Sequence, residues 1–233
     1  MKPLILAVPS KGRLEELSRE VFAKAGMQIN RPKGARSYAG SLDGFNNVVV
    51  QFLPASEIAR GLIAGTIDIG VTGEDLIHET MENGIEKIEI SNRLGFGKAD
   101  VVIGIPDAWI DVQNMRDLAD VASDFREKHS RWLCIATKYI QLTRSFLSEH
   151  GIAQYKIVNS VGATEAAPAT GAADLIVDIT STGSTLKANG LRIIEDGVIL
   201  KSQACLIVSK TTSWSEEKRK QKEQIVSAIS ASL

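Results

Sequence analysis

Histidine and cysteine are scarce in this chain, and their scarcity excludes several chemistries. The three histidines, His78, His129 and His150, stand at unrelated positions with no metal-ligand spacing, and no Cys-His pair or Ser/His/Asp constellation is suggested. The two cysteines, Cys134 and Cys205, each sit inside an apolar run, Trp132-Leu-Cys-Ile-Ala136 and Ala204-Cys-Leu-Ile-Val208. That is the setting of buried thiols in a reducing compartment, not of a disulfide framework. Net charge is equally scarce, since 27 Lys and Arg stand against 28 Asp and Glu. Nothing global therefore favours nucleic acid or a membrane, and any bound anion must be held by local cations and backbone N–H groups. No apolar run approaches the ~20 residues of a membrane span. The first nine residues hold too short an apolar run for an export signal and read as a strand, so the expected location is cytoplasmic. Internal repeats, low-complexity segments and linkers are lacking. So is the Gly-x-x-x-x-Gly-Lys-Ser/Thr loop of phosphate-binding kinases.

What is present is an ordinary globular balance, 44% hydrophobic and 24% charged over 233 residues. Such a length supports one large domain or two small lobes and buries roughly 70–75% of the unfolded surface. The apolar pattern alternates strands with helices. Leu4 to Val8 reads as a strand, followed by the turn Pro9-Ser-Lys-Gly-Arg13 and a helix whose Leu14, Leu17, Val21, Phe22 and Ala25 recur at helical spacing before Gly26. Two cations, Lys11 and Arg13, at a helix start oppose the helix dipole, which makes sense where an anion lies between them. Asn30 to Tyr38 is a basic, turn-rich loop carrying Arg36, a candidate contact for a leaving pyrophosphate.

A strand over Asn47–Pro54 leads to a helix over Glu57–Ala64 capped by Ser56. A buried strand then runs into Gly70-Val-Thr-Gly73-Glu74-Asp75, where backbone and carboxylates face a ligand or the glycines only allow tight packing. Asn92-Arg93-Leu-Gly95-Phe96-Gly97 follows a further strand and reads as a crossover between lobes. The segment from Asp107 to Ser130 reads as a loop and an exposed helix without a site. From Trp132 a second set of alternating units begins, and its strand ends place Thr137, Lys138, Glu165 and residues 178–185 together at one carboxyl edge. The strands Leu191–Glu195 and Ser202–Val208 are expected to return to the first lobe. The charge run Lys218–Lys222 in the C-terminal helix reads as a solvated face.

The chain is organised around Asp174-Leu-Ile-Val-Asp178-Ile-Thr-Ser-Thr-Gly183-Ser-Thr-Leu-Lys-Ala-Asn189. A buried strand ends in an acid, Asp178, and a turn dense in hydroxyls and N–H groups leads to a helix opening at Leu186. Thr180, Ser181, Thr182, Gly183, Ser184 and Thr185 form an anion cradle, to which a helix N-terminus adds roughly half a positive charge. This suits a phosphoribosyl donor. The 5′-phosphate fits the cradle, and the carboxylate accepts ribose hydroxyls and faces the positive charge that grows as pyrophosphate leaves. The pyrophosphate falls to Arg and Lys elsewhere, with Mg²⁺ sharing its charge.

At these residues the sequence resembles the ATP phosphoribosyltransferase family. Val161-Gly-Ala-Thr-Glu165-Ala-Ala-Pro168 through Leu191 looks like its signature, and Ser10-Lys-Gly-Arg-Leu14, Asp68–Asp75, Leu94-Gly-Phe-Gly97 and Ala136–Arg144 are similar to further motifs in the same order. Together they span about residues 4 to 208. The chain departs from the family where Ala99, Asp100 and Val101 replace a common Cys and Leu, and where Thr164-Glu-Ala-Ala-Pro168 replaces Val-Glu-Val-Ala-Pro. The resemblance implies a two-lobed α/β fold like a type II periplasmic binding protein, with the active site in the inter-lobe cleft. The expected lobes are 1–95, completed by about 186–210, and 96–185, with 211–233 a C-terminal helix and no fused regulatory domain. That is the short form.

The implied reaction joins adenine N1 of ATP to the ribose C1 of phosphoribosyl pyrophosphate. The expected catalytic residues are Asp178, Arg13, Lys11 and Arg36. Glu165, Asp178 and Thr180–Thr185 are expected to hold the phosphoribosyl donor, and Lys11, Arg13, Gly73, Glu74, Arg93, Gly95 and Phe96 to hold ATP. No metal is held by protein ligands alone, Mg²⁺ arriving through the substrate pyrophosphate. The implied partner is a histidyl-tRNA-synthetase-like regulatory subunit, with a homodimer inside the hetero-oligomer. Two rivals remain. One is another phosphoribosyltransferase, although Ile179 stands where that class has a second acid; the other is a non-enzymatic small-anion binding protein of the same fold.

Overall fold

Alternating apolar runs and amphipathic segments resolve into twelve strands and seven α-helices in a computed structural model, which describes residues 2–32, 38–81, 83–160 and 162–233. Two units result, one comprising Met1–Gly97 with Gln203–Leu233 and the other Lys98–Ser202.

The first unit is built on a seven-stranded sheet. In chain order its elements are β1 (Leu4–Pro9), α1 (Gly12–Lys24), β2 (Ile29–Asn30), β3 (Ala39–Leu42), β4 (Phe45–Leu53), α2 (Ala55–Ala64), β5 (Ile69–Gly73), α3 (Glu74–Thr80) and β6 (Ile88–Arg93). The sheet order is β2-β3-β4-β1-β5-β12-β6, the sixth place being taken by Ala204–Ser209 from far along the chain. β4, β1 and β5 are parallel. The Ala204–Ser209 strand is antiparallel to both β5 and β6, so β6 runs with β5. The carboxyl ends Leu53, Pro9, Gly73 and Arg93 therefore finish on one edge, where open α/β sheets collect ligands. One sheet face packs Leu4, Leu6, Val8, Val50 and Phe52 against Phe22 of α1 and Ile225 and Ile229 near the C-terminus; the other packs Ala7 and Ile207 against Ile58 and Leu62 of α2. A Cβ on Gly70 would meet Ile58 Cγ2 at 2.6 Å, so this glycine serves close helix–strand packing. α2 opens at Ala55 with Pro54 in the N-cap position, and Ser56 lies inside the helix instead of capping it.

The second unit continues with β7 (Ala99–Pro106), α4 (Met115–His129), β8 (Leu133–Thr137), α5 (Ile140–Glu149), β9 (Tyr155–Asn159), β10 (Leu175–Thr180), α6 (Ser184–Ala188) and β11 (Leu191–Ser202), in sheet order β11-β7-β10-β8-β9. β8, β9 and β10 are parallel, and their ends Thr137, Asn159 and Thr180 share an edge. Two expectations are corrected here. β11 does not return to the first lobe but pairs antiparallel with β7, Arg192 opposite Ile105, and only the next strand, β12 (Ala204–Ser209), crosses over. Alternating apolar residues fit either sheet equally, so the pattern could not choose. α4 is not an exposed helix either. It buries Met115, Leu118, Ala122 and Phe125, and Asn114 caps it with a reciprocal Asp117 capping box. Cys205 is buried as expected, whereas Cys134 is only partly so.

The chain ends in α7 (Glu216–Ser232), N-capped by Ser215. Its charge run is not wholly solvated, because Lys218 is buried against Asp68, with Nζ 2.7 Å from Oδ2. Among the described residues no helix is long and apolar enough to cross a membrane.

At the opposite edge of the second sheet, Asp174 accepts two hydrogen bonds of 2.6 Å from Arg131 and one of 2.8 Å from the Cys134 N–H. Burial pushes this carboxyl up, but the Arg131 hydrogen bonds, the Cys134 N–H and nearby positive charge together hold it below its usual 3.8. The folded state thus favours the ionised form. The stabilisation is complete above the unfolded value and is lost as pH falls through the lower folded value. Because Arg131 is half exposed, the pair contributes about 1 kcal/mol at most. Asp174→Asn is expected to lower Tm at pH 7 by about 2–4 °C and to shrink the further loss on acidification. Thermal melts from pH 7 to pH 3 check this, and parallel curves for the two proteins would refute it.

Candidate active site

β10 carries the organising acid. Leu175, Ile176 and Val177 are fully buried, and burial fades at the strand end, leaving the Asp178 side chain 18% exposed. Its Oδ1 accepts the Ile179 N–H at 2.8 Å. The turn beyond closes on itself, because Thr180 Oγ1 accepts the Gly183 N–H at 2.8 Å and Thr182 Oγ1 accepts the Ser184 N–H at 3.3 Å. Thr182 Oγ1 and Ser184 Oγ lie 2.8 Å apart. Gly183 has φ +72°, a left-handed conformation in which a side chain would be strained. Threonine hydroxyls that accept inward still have a hydrogen to donate outward, so these side chains both shape the cradle and line it. Ser181, Thr182, Ser184 and Thr185 are exposed.

One expectation about the cradle changes. α6 opens at Ser184, not at Leu186, and is five residues long, so its dipole is too short to supply the full terminal charge. What the turn offers to solvent is its exposed hydroxyls, the Gly183 and Ser184 N–H groups being taken up within it.

The neighbouring strand end contributes Thr137, fully buried, whose Oγ1 accepts the Tyr139 N–H at 2.8 Å, and Lys138, whose Nζ lies 3.6 Å from Asp178 Oδ1. Glu165 lies in a short 3-10 turn, Thr164–Ala166, that packs against β10. Ala167, just after it, shares a small core with Ile176 and with Leu186 of α6. Thr137 and Lys138 thus stand beside the end of β10 within one unit, Lys138 in direct contact with Asp178, while the turn carrying Glu165 packs against the same strand.

The first unit has a polar edge of its own. Lys11 and Arg13 are exposed at the β1–α1 turn, Lys11 in the N-cap position. Sequence reasoning missed what holds this turn. Arg31 Nη1 donates to the Ser10 carbonyl and to Glu15 Oε1, both at 3.2 Å, and its guanidinium stacks 4.5 Å from the Phe52 ring centroid. Arg31 stood in the basic loop, but nothing local in sequence distinguished it from Arg36. Arg36 itself lies outside the described residues.

Glu74 and Arg93 bond to each other, Arg93 Nε and Nη2 donating to the two carboxylate oxygens at 3.3 and 3.0 Å. These hydrogen bonds raise the Arg93 guanidinium further above its ordinary range. Gln203, also missed, takes the Gly95 N–H on Oε1 and the Glu74 N–H on its backbone carbonyl, both at 3.2 Å, tying Gly73–Glu74 to Gly95. Phe96 is half-buried against the core of this unit, and a Cβ on Gly97 would meet Leu14 Cδ2 at 2.9 Å. The Lys11–Leu14 turn and the Gly95–Gly97 segment are therefore neighbours. Burial first, then the Glu74 charge, push the Cys205 thiol up to about 12, so it stays neutral at physiological pH.

Among the described residues no group of three or more His, Cys, Asp or Glu side chains is placed to hold a metal ion. A cavity of about 390 Å³ beside Trp109, Val112 and Phe125 in the second unit offers no alternative site for an anion. Its cations Arg131 and Lys128 are already paired, with Asp174 and Asp124.

Two sheets with parallel strands ending on polar edges define a two-lobed α/β protein of the type II periplasmic-binding-protein class. The arginine-bound form of truncated ArgBP from T. maritima shares this fold, with a TM-score of 0.52 over 98% of this chain and 95% of its own at 14% identity. The ATP phosphoribosyl transferase (HisG:HisZ) complex from Thermotoga maritima matches with a TM-score of 0.75 over 98% and 97% at 24% identity. The family model for ATP phosphoribosyltransferase covers residues 54–231. A relative named ATP phosphoribosyltransferase from Bradyrhizobium sp. is 53% identical over 98% of this chain and 70% of its own length. Another from Chelativorans sp. is 57% identical over 92% and 94%. The chain belongs to the ATP phosphoribosyltransferase family.

Proposed function

We propose that the protein condenses ATP with 5-phosphoribosyl 1-pyrophosphate to give N1-(5-phosphoribosyl)-ATP and pyrophosphate, the first step of histidine biosynthesis. The observation that carries the reading is the Asp178 carboxylate standing at the end of β10, directly before a turn closed by Thr180, Thr182 and Gly183. Thr180–Thr185 take the 5′-phosphate, and Asp178 takes the ribose hydroxyls. Glu165, which has no hydrogen-bond or ion-pair partner among the described residues, adds a further acceptor.

Adenine N1 attacks C1 as the C1–O bond breaks, its electron pair leaving on the pyrophosphate oxygen, with inversion. The sugar passes through an oxocarbenium-like state that the Asp178 charge favours. Lys11, Arg13 and Arg36 take pyrophosphate or triphosphate charge, and Gly73, Glu74, Arg93, Gly95 and Phe96 face the nucleotide. Mg²⁺ comes as part of the phosphoribosyl pyrophosphate substrate. The protein acts in the cytoplasm as a homodimer within a hetero-oligomer. Its regulatory partner is a histidyl-tRNA-synthetase-like subunit, in line with a Thermotoga maritima relative whose structure is a HisG:HisZ complex.

Mixing the protein with ATP, phosphoribosyl pyrophosphate and Mg²⁺ and following the ultraviolet absorbance of N1-ribosylated adenine tests the reading. No turnover, with or without the regulatory partner, would sink it and leave a small-anion binding protein. Thr182→Val removes one cradle hydroxyl and the acceptor of the Ser184 N–H. It is expected to raise the donor KM about 10-fold, the scale of a hydrogen bond to a charged group, while the ATP KM moves less than about 2-fold. Equal rises in both would refute the cradle assignment.

A further inference from the structure

Lys138 is the one cation in contact with the organising acid among the described residues, and nothing so far has given it a role. Its backbone is firmly set. Thr137 and Tyr139 on either side are buried, the Tyr139 N–H is taken by Thr137 Oγ1, and the Tyr139 carbonyl is hydrogen-bonded by the Thr143 hydroxyl. The side chain is not so constrained. It is 48% exposed, with Nζ 5.1 Å from the Tyr139 ring centroid and 3.6 Å from Asp178 Oδ1. That separation exceeds the 2.7–2.9 Å of a charge-assisted hydrogen bond, so the ion pair is loose. Asp178 Oδ1 meanwhile has a tighter partner, the Ile179 N–H at 2.8 Å. An exposed ammonium on a flexible stem, rooted in a fixed backbone and only loosely paired with a carboxylate, is readily exchanged between partners.

We propose that Lys138 is a ligand-contacting residue of the phosphoribosyl site, neutralising Asp178 in the free protein and turning to a phosphate of the donor when ribose hydroxyls occupy Asp178. The inference rests on the phosphoribosyl reading and deepens it. Donor binding then exchanges one ion pair for a charged contact of the same sign on Lys138, and no carboxylate or ammonium is left alone in either state. The flat guanidinium of arginine would serve the phosphate contact as well as an ammonium, whereas methionine keeps the stem and loses the charge.

Isothermal titration of wild type, Lys138→Met and Lys138→Arg with phosphoribosyl pyrophosphate, ribose 5-phosphate and inorganic pyrophosphate, each with Mg²⁺, tests this without needing turnover. Lys138→Met is expected to weaken phosphoribosyl pyrophosphate binding at least 10-fold, with Lys138→Arg restoring most of the loss and all three proteins melting within about 2 °C. A loss confined to ribose 5-phosphate assigns the contact to the 5′-phosphate, and one confined to pyrophosphate assigns it to the leaving group. Equal binding of all three ligands by wild type and Lys138→Met would overturn the inference alone. Failure of the wild type to bind any of them would overturn the phosphoribosyl reading and the inference with it.

Discussion

Asp178→Asn is expected to lower kcat at least ~100-fold, the scale of removing one preorganised electrostatic contact in a reaction centre. The substitution is nearly isosteric, and an asparagine oxygen can still accept the Ile179 N–H that Asp178 Oδ1 accepts at 2.8 Å. The side chain stands where burial along β10 has faded, so the fold has little to lose. On the proposed mechanism, what disappears is the negative charge facing C1 as the C1–O bond breaks. A ground-state contact of equal strength would change KM alone; a charge that matters more as the sugar becomes cationic changes kcat. The absorbance assay at saturating ATP and donor reads this directly, with a thermal melt to confirm folding. A kcat within 3-fold of wild type in a folded variant removes Asp178 from the mechanism.

Asp68→Ala is expected to have the largest effect on stability, a loss of about 3–5 kcal/mol. This carboxylate is 2% exposed and accepts four hydrogen bonds: the Ile5 N–H and Lys218 Nζ on Oδ2, both at 2.7 Å, and Lys218 Nζ at 3.0 Å with the Thr212 hydroxyl at 2.6 Å on Oδ1. It therefore joins β1, the start of β5 and the segment leading into α7. Truncation leaves a buried ammonium without its counter-charge and a backbone N–H without an acceptor. The expected fall in Tm is on the order of 10 °C. Because the residual charge causes much of the damage, adding Lys218→Met to Asp68→Ala should recover part of it. Thermal unfolding of the two single variants and the double variant decides the matter. Additive losses would show that the two groups act independently and would refute the coupling.

Much of this was legible in the order of residues. The strand–turn–helix at Leu4–Lys24, the acid at the end of β10 and the hydroxyl turn around Gly183 all depend on contacts a few residues long, such as Thr180 Oγ1 with the Gly183 N–H. Local periodicity, turn chemistry and strand-end polarity report such contacts directly. The grouping of Thr137 and Lys138 with Asp178 was also legible, because parallel strands ending on one edge bring their following turns together.

The pairings that cross long stretches of chain were not legible. β11 shows the same apolar alternation whether it lies against β7 or in the other sheet, so only the assembled sheet assigns it. Lys218 sits in a run of charges that looks solvated, and its burial depends on Asp68, 150 residues earlier. Glu74 and Arg93 were both placed with the nucleotide, yet their mutual hydrogen bonds appear only once β5 and β6 flank β12. Arg31 gained its part by reaching Ser10 and Glu15 over the Phe52 ring. By itself the sequence determined the hydroxyl-rich turn, the acid before it and the alternating α/β class, because these follow from short-range geometry and side-chain chemistry. Only the tertiary structure decided which strand pairs with which and which charges neutralise one another, because both depend on distances that periodicity does not encode.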